Sequence, residues 1–170
     1  VSLGSSSGRF KDLYLSGGIH LGGAVAANKL DDYEYGTWTP VFAGASSAGT
    51  YTYVENQGHY VKIGNQVTCW FNFTNITTVS AGSGVSQING LPFTVNWMSG
   101  FNGEGVGIFS ALGFTGINGL QSMPILHDNE TYVRLYKLSN SNNMAASVNV
   151  TDKVDSGSDL RGFVTYTVSG

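Results

Sequence analysis

The sequence predicts an all-β protein, with a short intertwined N-terminal stalk segment followed by an antiparallel β-sandwich or jelly-roll head. Three observations predict it. No stretch sustains helical periodicity, whereas short alternating runs of apolar and polar residues recur along the chain between Gly, Asn and Ser turns. The chain has 24 glycines in 170 residues, and between residues 96 and 119 glycine returns every few positions. Each glycine inside a helix costs about 1 kcal/mol relative to alanine, so that spacing suits short strands and close turns. Finally, only 11% of residues are charged while 12% are aromatic, against about 25% charged in an ordinary soluble domain. A β-surface made of hydroxyls and amides is one that meets another surface, or a sugar.

The length suits one main domain of about 100 to 150 residues plus an appendage. Residues 1–30 read as the end of a fibrous stalk and its linker, and 31–170 as the head. The net charge of −3 and the scattering of the eight Lys and Arg residues argue against a nucleic-acid partner, because neutralising phosphates takes clustered cations. No run of about 18 apolar residues occurs, so no membrane insertion is expected, and the N-terminus lacks the charged and apolar regions of a signal peptide. The single cysteine, Cys69, excludes an internal disulfide framework. Stability must come from packing or from association of chains.

In order along the chain, residues 10–15 alternate like a strand, and Leu13-Tyr14-Leu15-Ser16-Gly17-Gly18 superposes on Ile19-His20-Leu21-Gly22-Gly23-Ala24. Strands that short cannot bury their apolar side within one chain. Several chains wound together would bury Leu13, Leu15, Ile19 and Leu21 on a shared axis; the alternative is an N-terminal extension draped on its own domain. Residues 28–40 form an acidic junction, with Asp31, Asp32 and Glu34 ahead of Trp38. Residues 37–43 and 51–54 read as strands, the first with Pro40 at an edge or first position. Gly64-Asn65 between residues 58–63 and 66–74 is a two-residue hairpin signal. On its second strand Val67, Cys69, Phe71 and Phe73 share one face, which leaves Trp70 on the polar face. Residues 80–90 read as a Ser/Gly loop and 91–95 as a short edge strand. Further strands are expected at 123–127, 131–138, 146–150 and 162–168, with turns at Asp128-Asn129 and 139–143.

No nucleophile elbow, phosphate loop or zinc spacing is present. His20, His59 and His127 have no Cys or His partner at ligand spacing, and Asp31-Asp32-x-Glu34 lacks the rhythm of a calcium loop. No metal and no cofactor is therefore expected. A glycosidase needs two carboxyl groups about 5 to 10 Å apart, and no motif singles out such a pair among Glu55, Glu104, Asp128, Glu130 and the C-terminal aspartates, so no catalytic residue is assigned. What remains suits sugars: ring faces stack on a pyranose while Asn, Asp or Arg side chains hydrogen-bond hydroxyls. The carbohydrate-binding candidates are Trp70, then Trp97 with Phe101, Asn102 and Glu104, and the same-face trio Tyr132, Arg134 and Tyr136. Each competes with a role at a subunit interface, where large aromatics are also enriched.

The run RFKDLYLSGGIHLGG, followed by ANKLDDYEYGTWTP and GHYVKIGNQV, resembles the C-terminal part of tailed-bacteriophage tail-fibre and tailspike proteins. In those proteins a stalk with an LYLSGG-type unit leads through an LDDYEEGTWTP-type junction into a β-rich terminal domain, commonly with a Y-x-K-I-G-N-x-V hairpin. The likeness covers roughly residues 9–67, with a weaker echo in the closing LRGFVTYTV, and does not extend to 75–155. This chain carries Tyr35 where a second Glu is common, which weakens any electrostatic role for the junction. The resemblance implies a homotrimer at the distal end of the virion tail that binds host lipopolysaccharide or capsule. It leaves three functions open: a receptor-binding tip, a trimerisation and folding cap for an upstream domain, and a glycan-degrading enzyme with an intersubunit carboxylate pair.

Overall fold

The computed structural model describes residues 3–25, 28–30, 32–97, 105–115, 119–120, 123–137, 146–152 and 157–169. It divides into two units, Val1–Asp32 and Tyr33–Gly170. In the first, β1 (Ile19–His20) pairs antiparallel with β2 (Lys29–Leu30). The Leu21 amide bonds the Asn28 carbonyl at 2.8 Å and the Asn28 side-chain amide returns to the Leu21 carbonyl at 2.9 Å. The strand expected over residues 10–15 is absent. Its alternation is present, but no segment of the described chain pairs with it, and an extended segment without a ladder gains nothing to offset its lost entropy.

The second unit contains β3 (Tyr33–Trp38), β4 (Val41–Gly44), β5 (Thr50–Thr52), β6 (Glu55–Ile63), β7 (Gln66–Ser80), β8 (Ser86–Asn89), β9 (Val106–Leu112), β10 (Gly119–Leu120), β11 (Met123–Leu126), β12 (Tyr132–Lys137), β13 (Ala146–Ser147) and β14 (Ser158–Thr167). The larger sheet runs β10-β9-β14-β7-β6-β3, with β5 on the far half of β7; the smaller runs β11-β12-β8-β4, with β13 beside β12. Every strand pair is antiparallel. The sheets face each other as a β-sandwich across one core. Val67, Cys69, Phe71 and Phe73 point inward from the larger sheet, and Phe42, Ile88, Val133 and Leu135 from the smaller. Burying each large apolar side chain stabilises the fold by roughly 1.5–3 kcal/mol.

The β6–β7 hairpin is the frame. Its turn places Gly64 at φ +57°, which glycine adopts without strain, and β6 pairs with β7 from Ile63↔Gln66 to Glu55↔Thr74. Inside it, Trp38 lies over Gly58: a Cβ at position 58 would come within 2.6 Å of the indole Cδ1. The indole Nε1 donates to the Trp70 carbonyl at 3.1 Å and the His59 carbonyl at 3.3 Å, so the aromatic ring of β3 clamps the hairpin.

Five segments depart from the sequence reading. The expected strand 37–43 is two strands, because Pro40 has no N–H to continue a ladder and the chain changes sheets there. Glu34 of the acidic junction is a strand residue of β3, and its carboxylate accepts a hydrogen bond from the Tyr60 hydroxyl. Residues 91–95 form no strand: the Leu91 amide bonds the Thr131 carbonyl at 3.0 Å and Val95 bonds the Glu130 carbonyl at 2.9 Å, so these donors go to a neighbouring turn. Conversely, β8 lies within the stretch read as a Ser/Gly loop and pairs with both β4 and β12. The strand expected at 146–150 is shortened to β13, followed by a 3-10 turn over Val150–Asp152.

Candidate functional site

The two outer faces of the sandwich differ in chemistry. On the larger sheet, alternation along β7 turns Trp70 outward, and the register lines it up with His59 and Thr37 on one side and with Phe163 and Ile108 on the other. Trp70 is 44% exposed and stands between two shallow hollows. One, of about 340 Å³, is lined by Tyr33, Tyr35, His59 and Val61. The other, of about 380 Å³, is lined by Gln57, Asn72, Arg161 and Phe163. Arg161 Nη2 pairs with Asp159 Oδ2 at 3.0 Å, and Asn72 Nδ2 donates to Glu55 Oε2 at 3.4 Å.

On the smaller sheet, Val133 and Leu135 of β12 face the core, so Tyr132, Arg134 and Tyr136 share the outer face. The Arg134 guanidinium lies over the Tyr132 ring, 5.3 Å from its centroid, and Nη2 donates to the Tyr132 hydroxyl at 3.2 Å. Such stacking is worth about 0.5–2 kcal/mol, depending on desolvation. Beside them on β8, Asn89 pairs with Tyr132 and Gln87 with Arg134, and Gln87 Nε2 donates to Asn89 Oδ1 at 2.9 Å. Burial pushes the Tyr132 phenol above its ordinary range; the Arg134 charge opposes this and the Glu130 carboxylate reinforces it. Among the described residues, Arg134 Nε and His127 Nε2 are buried without a hydrogen-bond partner. The face thus combines ring surface, two amides and a guanidinium, the elements a sugar needs.

The candidates from the sequence do not form one site. Trp70 and the Tyr132, Arg134, Tyr136 trio lie on opposite outer faces. Trp97 packs against the core, its amide held by Asp128 Oδ1 at 2.9 Å; its indole Nε1 is buried with no partner among the described residues. Phe101, Asn102 and Glu104 lie outside the described residues. Asp128 also accepts from Asn129 Nδ2 at 3.3 Å, so it serves the turn and the neighbouring segment. In the N-terminal unit Leu13, Leu15, Ile19 and Leu21 are exposed. Among the described residues no three His, Cys, Asp or Glu side chains converge as a metal site would require. Sequence reasoning misses Gln87 and Asn89, because the stretch that holds β8 has the composition of a loop. It also misses the outward residues of β3 and β9 that flank Trp70: each alternation is legible, but the register joining them is not.

No family model and no curated protein matches the chain. Among solved structures the fold is similar to part of the Dettilon tailspike protein (gp208), with a TM-score of 0.52 and 21% identity. The match takes in 78% of this chain and 23% of that one.

Proposed function

We propose that this chain is the distal tip of a tailed-bacteriophage tail fibre or tailspike, a homotrimer that binds a host surface glycan, lipopolysaccharide or capsule, during adsorption. The observation that carries the binding role is the outer face of the smaller sheet, where Tyr132, Arg134 and Tyr136 stand beside Gln87 and Asn89. The likeness in fold to a tailspike supports the setting. On this reading the domain is a binding module rather than an enzyme, uses no cofactor, and engages neither nucleic acid nor the membrane interior. A pyranose would rest on Tyr136 while the Gln87 and Asn89 amides and the Arg134 guanidinium take its hydroxyls.

The test is calorimetric titration of the full chain with purified polysaccharide from host cells. Tyr136→Ala and Asn89→Ala should each weaken binding about tenfold, equivalent to about 1.4 kcal/mol, without changing the circular dichroism spectrum. A folded chain that binds neither polysaccharide nor host cells would sink the proposal. A second reading, a trimerisation and folding cap for an upstream domain, is favoured by the apolar outer face of the larger sheet, and that negative result would select it.

A further inference from the structure

The larger sheet leaves an unusual surface in water. Tyr33 and Tyr35 on β3, Trp70 on β7, Phe163 on β14, and Val106 and Ile108 on β9 all point outward and are all substantially exposed, from 37% for Phe163 to 74% for Tyr35. The strand register makes them one continuous patch. At ordinary side-chain areas they present roughly 650 Å² of largely apolar surface, approaching the about 800 Å² that each partner contributes to a stable protein–protein interface. It exceeds what a monomeric protein commonly leaves exposed.

The chemistry of the patch narrows its occupant. Among the described residues, the charged groups of this face, Glu55, Asp159 and Arg161, gather toward one end, and Asp159 and Arg161 pair with each other. From Trp70 to the β3 margin no Lys, Arg, Asp or Glu among the described residues stands on this face, so an occupant recognised by charge finds little to read there. A saccharide fits the hollows beside Trp70 but leaves the aliphatic margin on β9 bare. The patch is also asymmetric. Its β9 margin exposes the aliphatic side chains of Val106 and Ile108, whereas its β3 margin carries Tyr33 and Tyr35 around the hollow of about 340 Å³. The chain therefore carries both an aliphatic margin and an aromatic hollow, displaced from each other across one sheet. Contacts between unlike patches of identical chains generate a closed ring when the rotation permits.

We propose that a second copy of this chain docks on the outer face of the larger sheet, the Val106–Ile108 margin of one copy seating in the Tyr33–Tyr35 margin of the next. The inference rests on the homotrimeric reading above and adds the surface and its pairing. It also gives Trp70 a different task from sugar stacking: it lies mid-face between the two margins, where the assembly covers it.

Light scattering of the full chain at micromolar concentration, with Tyr35→Glu, Ile108→Lys and the double variant, tests it. The wild type should show three chain masses. Each single variant should fall to one, because a charge then faces an apolar margin. The double variant should regain three, because each contact then sets the introduced lysine of one copy against the introduced glutamate of the next. If Ile108→Lys loses its strand signal by circular dichroism, Val106→Lys on the same margin replaces it. Assembly that survives both single substitutions overturns the surface and leaves the trimer standing. Loss in the singles without restoration in the double overturns the pairing of the β9 margin with the β3 margin. A monomeric wild type overturns both the surface and the trimeric reading; polysaccharide titration then reports on glycan binding separately.

Discussion

At the scale of single residues, Asn75 shows how a side chain and a backbone conformation select each other. It sits at φ +52° in the middle of β7, where the pairing with β14 shifts register between Ser158 and Leu160. A left-handed residue there bends the long strand, so that its first part pairs with β6 and β14 and its end with β5. Asn tolerates this conformation better than other non-glycine residues. It also bonds on both sides: its amide donates to Asp159 Oδ1 at 2.9 Å, and its Oδ1 accepts from the Gly157 amide at 2.9 Å. Asn75→Val, which combines a β-branched side chain with a lost acceptor, should destabilise the fold by about 2–3 kcal/mol. Asn75→Gly keeps the conformation and loses only the acceptor, at a cost of about 1 kcal/mol. Urea unfolding of the two variants separates backbone strain from hydrogen bonding; equal losses would mean that strain contributes nothing.

At the scale of elements, the β6–β7 hairpin is legible in the sequence because two signals agree, a Gly-Asn turn and strict alternation on its second strand, and one structural clamp completes it. Trp38 closes over Gly58, and Gly58→Val should expel the indole from its site and break both of its Nε1 bonds. A loss of at least about 3 kcal/mol is expected, with a red shift in tryptophan emission. Because both changes act on one contact, Gly58→Val combined with Trp38→Ala should cost less than the sum of the single variants. Elements whose identity depends on a partner are not legible. Ser86-Gln87-Ile88-Asn89 offers a single aliphatic residue to a pattern search and becomes a strand because β4 and β12 bracket it. Residues 91–95 fail for the opposite reason: Leu91 and Val95 are buried, but their amides bond carbonyls of the Glu130–Thr131 turn. The candidate site shares this limit. The trio on β12 is readable from alternation within one strand, whereas Gln87 and Asn89 come from a strand that only the sheet reveals.

At the scale of the whole sandwich, one core joins two sheets whose outer faces carry different chemistry, so events inside should be felt as cooperative stability. Buried protons offer a direct way to measure it. Burial pushes the Cys69 thiol up to about 12, with the hydrogen bond it shares with the Tyr166 hydroxyl working against this. Burial also raises the Tyr166 and Tyr53 phenols. Tyr166 in turn donates to the Phe93 carbonyl at 3.1 Å and Tyr53 receives the Phe42 amide at 3.1 Å, so these groups tie the larger sheet to the 91–97 segment and to the smaller sheet. In the unfolded chain the thiol ionises near its ordinary value of 9.0 and the phenols near 10.0. Above about pH 9 the unfolded state therefore binds fewer protons than the native state, and unfolding free energy falls as pH rises. The contribution is fully present below pH 9 and is lost progressively toward about pH 12. Urea midpoints measured from pH 7 upward should be flat with respect to these groups to about pH 9 and then decline. Cys69→Ala should flatten the first part of that decline while costing some packing at every pH. Native Cys69 should resist thiol reagents over the same range and react only as the sandwich opens, because the thiolate is the nucleophile and its formation is what burial opposes. A midpoint that holds constant through pH 11, or rapid labelling of the folded chain at pH 9, would contradict this account of the core.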